Sequence, residues 1–204
     1  MTPALHRART WSVERLRKGW ALARRHPVRT ALLPPALLLL YLLVLIPFTP
    51  SISDIRKAKS EVPSVVMSAD GVVLAEFKRL NRQWVPLSRI APSTIDALIA
   101  TEDHRFYQHH GIDVRRTGAA VLNTLRGKRQ GGSTLTQQLA RNLYPEEIGR
   151  SVSLTRKAKE AITALKIEAV YSKDEILETY LNTVPFLYNA FGIEMAARTY
   201  FDKS

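Results

Sequence analysis

No cysteine occurs in the 204 residues. That excludes a disulfide scaffold, a thiol nucleophile, and thiolate-held zinc or iron–sulfur centres. Glycine and proline are sparse, at 9 and 11, while apolar residues reach 46%. A collagen-like or disordered chain has neither property. Acidic residues are also few: 18 Asp+Glu face 30 Lys+Arg, for a formal net charge of +12. The imbalance lies mostly at one end. Within residues 1–30, eight basic side chains face Glu14 alone, so that segment carries +7 and the other 174 residues carry +5. With the excess placed in a leader, nucleic acid is not an expected partner. The length suits one compact domain with appendages.

Charge is missing altogether from Thr30 to Ser53, 24 consecutive residues with a Leu-rich run from Ala36 to Ile46. A helix of that length, at about 1.5 Å per residue, covers the roughly 30 Å hydrocarbon core of a bilayer. Pro34 and Pro35 are expected at its start, where lost amide donors matter least. A cleaved signal peptide fits less well, because the basic leader is long and no small-x-small site follows Phe48. The expected division is a basic cytoplasmic leader at 1–29, a transmembrane helix at 30–53, a polar linker at 54–61 and an outer domain at 62–204. Arg7, Arg9, Arg15, Arg17, Lys18, Arg24, Arg25 and Arg29 all precede the span. The positive-inside rule then puts the N-terminus in the cytoplasm. Trp11 and Trp20 among those charges suit interfacial anchoring on anionic lipid.

The outer domain reads as mainly α with a minor β element. Residues 64–68 and 72–77, around the turn Ala69-Asp70-Gly71, predict a small hairpin. Helices are expected from Ser93, with Ser93 and Asp96 as a capping box; over Val114 to Leu125; from a Thr134/Gln137 cap; over Ser153 to Tyr171; from a Ser172/Glu175 capping box; and over Gly192 to Tyr200.

Chemistry-bearing residues stand where a helix would otherwise be apolar. Glu102 continues the stripe of Ile95 and Ile99. An inward carboxylate needs a partner or a task, and partial desolvation makes such a group a usable base. A structural Glu beside Arg105 satisfies the same pattern. Asp103, Phe106, His109 and Gly111 follow within ten residues. Next comes Gly131-Gly132-Ser133-Thr134-x-x-Gln137-Gln138, a loop whose amides and hydroxyls could meet an anion at a helix N-terminus, or simply cap that helix. Basic residues succeed it at Arg141, Arg150, Arg156, Lys157 and Lys159, with Glu160 among them. Such charges usually form solvated pairs. A carboxylate set among bases, downstream of that loop, equally suits a pyrophosphate sugar.

These segments, together with Lys173-x-x-Ile176-Leu177-Glu178-x-Tyr180-Leu181-Asn182 and Gly192-Ile193-x-x-Ala196-Ala197-x-x-Tyr200-Phe201, resemble the ordered motifs of glycosyltransferase family 51. These are the peptidoglycan glycosyltransferases of class A penicillin-binding proteins and of monofunctional cell-wall polymerases. The resemblance covers about Val62 to Phe201. It implies a lysozyme-like, mainly α fold on the outer (periplasmic) face of the plasma (inner) membrane, held by a single-pass anchor and polymerising lipid II. Glu102 would be the general base for the acceptor's 4-hydroxyl, and undecaprenyl pyrophosphate would leave with inversion at the donor's anomeric carbon. Glu160 would be the second acid, near the diphosphate, acting through a divalent cation (Mg or Mn) or by orienting the bases around it; no cofactor is required. Gly132, Ser133, Thr134, Gln137, Gln138 and Arg141, the last in place of a usual Lys, match donor-cleft positions. Arg150, Arg156, Lys157 and Lys159 match phosphate contacts, and Asp103, Phe106, His109 and Gly111 match positions that shape the cleft. Glu178, Tyr180 and Asn182 are expected as structural motif residues. The implied partners are lipid II donor and acceptor, the growing glycan strand, membrane lipid and cell-wall synthesis complexes.

Two departures stand out. Val184 to Phe191 is apolar and aromatic where the family has a Gly-rich turn. The chain also stops at Ser204 and contains no Ser-x-x-Lys or Lys-Thr-Gly, so a C-terminally truncated domain without a transpeptidase module is expected. A non-catalytic, membrane-anchored module that binds lipid-linked diphosphate sugars is the alternative. A lysozyme-like glycan-cleaving enzyme, also built on one key Glu, fits the basic cluster less well.

Overall fold

The computed structural model describes residues 27–58, 64–68, 70, 73–77, 83–128 and 131–203. The basic leader through His26, with Trp11 and Trp20, and most of the Ala69–Gly71 turn lie outside these residues. The chain divides into two compact units, Met1–Val44 and Leu45–Ser204.

The first unit ends within α1 (Pro27–Leu45), which is followed by a 3-10 turn at Ile46–Phe48. Together these 22 residues form a helix long and apolar enough to cross a membrane, and only 6% of the span is buried, unlike a core helix. Two expectations change here. The helix carries Arg29 at its N-terminal end, so the uncharged run does not set its limits. Pro34 and Pro35 therefore lie inside it, each removing one amide donor from the ladder.

Early in the second unit lies a helix that the polarity of residues 54–61 hides. α2 (Ile52–Ala58) is short, and its Ile55 is a core residue, 1% exposed. Tyr171 donates its hydroxyl to the Ile55 carbonyl at 2.6 Å, and Lys166 Nζ donates to Thr49 Oγ1 at 2.7 Å and to the Pro50 carbonyl at 2.9 Å. Burial pushes the Lys166 ammonium down from its ordinary pKa. This stretch is thus docked on the domain and is not a free linker. β1 (Ser64–Met67) pairs antiparallel with β2 (Val73–Phe77), with a register shift between Val66 and Met67.

The helical body follows: α3 (Pro92–Glu102), α4 (Val114–Leu125), α5 (Leu135–Leu143), α6 (Pro145–Ile148), α7 (Leu154–Glu168), α8 (Lys173–Thr183) and α9 (Ile193–Phe201). The start of α3 departs from expectation. Pro92 takes the first turn with Ala91 as N-cap, and Ser93 makes no cap. Proline suits that position because its missing amide would be unpaired anyway. The two other expected capping pairs form as the sequence predicts, and Ser153 adds a cap that the sequence reading did not name. Thr134 with Gln137 and Ser172 with Glu175 form reciprocal capping boxes, and the Ser153 side chain accepts from the Arg156 amide.

α5 is the hub, packing against both α7 and α8. Leu135 and Leu139 on α5 meet Ile167 of α7 and Ile176, Leu177 and Leu181 of α8 in a core that also takes in Phe106. Each such side chain contributes about 1.5–3 kcal/mol when fully buried. Asn182, wholly buried, clamps the segment before α3 to α8: its Oδ1 accepts from the Val85 amide and its Nδ2 donates to the Val85 carbonyl, both at 2.8 Å. Glu178 accepts from Trp84 Nε1 and the Leu87 amide, each at 2.9 Å. Gly192 (φ +80°) packs so tightly that a Cβ would meet the Asn182 carbonyl oxygen at 2.6 Å.

Candidate active site

Two carboxylates from different helices are tied to the N-terminal end of α5. Glu102, at the end of α3, is half-buried, and its Oε2 accepts from Gln138 Nε2 at 2.8 Å. Gln138 in turn accepts from the Tyr180 hydroxyl of α8 through Oε1 at 3.0 Å. Burial first, and then the Glu102 charge, push the Tyr180 phenol up to about 12, partly opposed by Arg141 nearby. Glu160, on α7, is 1% exposed. Its Oε2 accepts from Lys157 Nζ at 2.7 Å, and the same ammonium donates to Ser133 Oγ just before α5. Arg156 Nε lies 3.4 Å from Glu160 Oε1, close enough for an ion pair but misaligned, so neither atom makes a hydrogen bond. Ser133 directly precedes the Thr134 N-cap of α5, and Gln138 is the fourth residue of that helix. Acid, amide, hydroxyl and ammonium therefore share one end of α5.

A buried polar layer holds that end in place. Asp103 is wholly buried; its Oδ2 accepts from the Leu135 amide at 3.0 Å, and both its oxygens lie 3.0–3.1 Å from His109 Nε2. An ionised carboxylate only accepts, which places the His109 proton on Nε2. Arg116 donates to the Glu102 carbonyl and lies 3.8 Å from Asp103 Oδ1. Thr134 Oγ1 donates to the Gly111 carbonyl at 2.7 Å. Gly111 (φ +81°) sits where a Cβ would be 2.9 Å from the Ala164 backbone, and a Cβ on Gly132 would be 2.9 Å from Ala120 Cβ. These two close approaches bring the loop against α7 and α4.

The expected ligand contacts divide accordingly. Asp103 and Phe106 have no exposed surface, and His109 and Thr134 are buried. Their side chains build the wall of the site. Gln137 is 4% exposed, with its Oε1 held in the cap of α5. At the helix terminus Asp103 takes the Leu135 amide and Thr134 takes the Gln137 amide. Positive charge there comes from Lys157 and Arg156. Gln138, Ser133, Lys157 and Arg141 keep accessible surface. Arg150 is turned outward, 79% exposed and paired with Glu146 at 2.6 Å, while Lys159 donates to the Glu147 carbonyl at 2.7 Å. Neither joins Glu160.

The sequence reading missed Glu168, which pairs with the motif residue Lys173 at 2.7 Å and also accepts from Thr136 Oγ1. Glu168 stands eight residues after Glu160 on α7, so helical spacing was the available signal. It also missed Asp113, which caps α4 through the Arg116 amide and pairs with Arg105 at 3.3 Å. Burial raises the Asp113 pKa, but the amide, Arg105 and His109 outweigh it and leave the carboxyl below its ordinary value. A resident divalent ion does not fit around Glu160, a single carboxylate flanked by two cations. No group of three His, Asp or Glu residues gathers among the described residues.

The sequence model of the family described as Transglycosylase matches residues 70–204. The chain belongs to that family, the glycosyltransferase family 51 domain of class A penicillin-binding proteins. It is 40% identical over 163 residues to penicillin-binding protein 1A of Escherichia coli (strain K12), covering 78% of this chain and 18% of that protein. It is 45% identical over 143 residues to penicillin-binding protein 2D of Bacillus subtilis (strain 168), covering 69% and 20%. Against penicillin-binding protein 1A of Neisseria flavescens it is 38% identical over 176 residues, covering 85% and 22%. The transglycosylase domain described here thus spans about a fifth of the length of these relatives.

Proposed function

We propose that this transglycosylase domain polymerises lipid II into glycan strands. The observation that carries the reading is the attachment of both carboxylates to one end of α5, Glu102 through Gln138 and Glu160 through Lys157 and Ser133. In the proposed reaction the acceptor's 4-hydroxyl gives its proton to Glu102 while its oxygen bonds to the donor's C1. The C1–oxygen bond to the diphosphate breaks, and undecaprenyl pyrophosphate leaves with the electron pair. Attack opposite the leaving group inverts the anomeric carbon.

The leaving group is already good, so the protein's task is to position two sugars, offset the diphosphate charge and remove one proton. Glu160 would serve by holding Lys157 and Arg156 at the site, and no step needs a metal. Lipid-linked substrates suit a chain with a helix able to cross a membrane. The basic leader supports, by the positive-inside rule, a cytoplasmic N-terminus and a domain on the outer face. Growing glycan and cell-wall synthesis complexes are the corresponding partners.

The test is polymerisation of lipid II by the purified full chain in detergent. Glycan strands from the wild type and none from Glu102→Gln, with equal thermal stability, are expected. Undiminished product from Glu102→Gln would remove the assigned base. Lipid II binding without product from the wild type would favour a binding module.

A further inference from the structure

Glu102 has two carboxylate oxygens with unequal surroundings. Oε2 is taken by Gln138 Nε2 at 2.8 Å, whereas Oε1 has no protein hydrogen-bond partner among the described residues. A glutamine amide has a donor end and an acceptor end, and an ionised carboxylate can only accept. Gln138 must therefore turn its NH2 to Glu102 and its oxygen to Tyr180, so Tyr180 must be the donor in the 3.0 Å contact. The three groups form one directed chain from α8, through α5, to the end of α3. Tyr180 is 4% exposed, so its ring is fixed by packing, whereas Gln138 is half-buried and could otherwise turn to solvent.

We propose that Tyr180 is a positioning residue for Glu102: its hydroxyl locks the Gln138 amide so that Oε2 is occupied and Oε1 alone takes the acceptor's proton. This inference rests on the glycosyltransferase reading of Glu102. The raised phenol pKa of about 12 agrees with it, since a hydroxyl that stays protonated remains a donor throughout the working range. The ring of Tyr180 belongs to the core, so the functional part is the oxygen alone.

The test compares wild type, Tyr180→Phe, Gln138→Ala and the double variant as purified full chains. Tyr180→Phe keeps the buried ring, so its thermal midpoint should stay near that of the wild type. Its kcat for lipid II should fall about tenfold with KM little changed, as expected when a single positioning hydrogen bond is lost. Because Tyr180 acts through Gln138, the double variant should be no slower than Gln138→Ala alone. Independent, additive losses, or an unchanged kcat in Tyr180→Phe, would overturn the inference.

A second readout needs no turnover. In isotopically labelled protein the Gln138 side-chain amide protons should exchange slowly with solvent, and about tenfold faster in Tyr180→Phe. Equal exchange in the two would sink the lock even if the chain proved inactive. Glu102→Gln in the same kinetic series separates the two claims. If it is dead while Tyr180→Phe is normal, only this inference fails; if it is active, the reading of Glu102 fails.

Discussion

Replacing Asp103 by alanine removes the acceptor on which the start of α5 depends. In the wild type the Leu135 amide and His109 Nε2 both donate to this carboxylate, and no part of the residue is exposed to solvent. Truncation strands both donors in the interior, at about 1–3 kcal/mol each, so the expected loss is about 4 kcal/mol. Arg116 keeps its bond to the Glu102 carbonyl and adds little to that sum. For a domain of this size about 4 kcal/mol corresponds to roughly 8–16 °C in Tm. Asp103→Asn, which keeps an oxygen for the Leu135 amide, should lose about 1–2 kcal/mol. Denaturant unfolding in mild detergent, followed by far-UV circular dichroism, gives both values. A loss under about 1 kcal/mol for Asp103→Ala would show that α5 does not depend on this carboxylate, and the account of how the site is held would fail.

Other outcomes follow from neighbouring positions. Gly111→Ala and Gly192→Ala should each lose more than about 2 kcal/mol, because both combine a positive φ with a backbone clash. Gly118→Ala, in the middle of α4 with nothing within 4 Å of a new Cβ, should gain about 0.5–1 kcal/mol in the same unfolding assay. Asp113 is held below its ordinary value of 3.8, so the stability it lends is complete above about pH 4 and is lost as pH falls through its lower folded-state value. Asp113→Ala should therefore lose about 1 kcal/mol near neutral pH and flatten the acid limb of the stability curve. Lys157→Met should abolish lipid II turnover while leaving the helical spectrum intact, since Lys157 is the group that joins Glu160 to Ser133.

Local rules made much of this fold readable. The capping pairs Thr134/Gln137 and Ser172/Glu175, and the span of α4, depend on neighbours within four residues, and the structure has them as the sequence predicts. α2 escaped because it is only seven residues long and Ile52, Ser53, Asp54 and Arg56 around the buried Ile55 are exposed, too little for a periodic signal. Ser93 lost its capping role to Pro92, a competition between two legitimate start signals. The site divides in the same way. Glu102 and Glu160 stood out as carboxylates set among residues of contrasting character. Their supports did not, because Gln138 meets Glu102 across 36 residues and Lys157 meets Ser133 across 24. Such pairings arise only when α3, α7 and α8 close on α5. The inward turn of Thr134 and Gln137 was hidden for a related reason: one side chain can cap a helix or face a ligand, and spacing alone does not distinguish the two.

The most direct test of the shared site is a structure of the full chain with a non-reacting lipid II analogue and an acceptor sugar bound. The diphosphate should lie against Lys157 and Ser133, with the acceptor's 4-hydroxyl at hydrogen-bond distance from Glu102 Oε1. A diphosphate seated away from the N-terminal end of α5, or an acceptor hydroxyl out of reach of Glu102, would contradict the account.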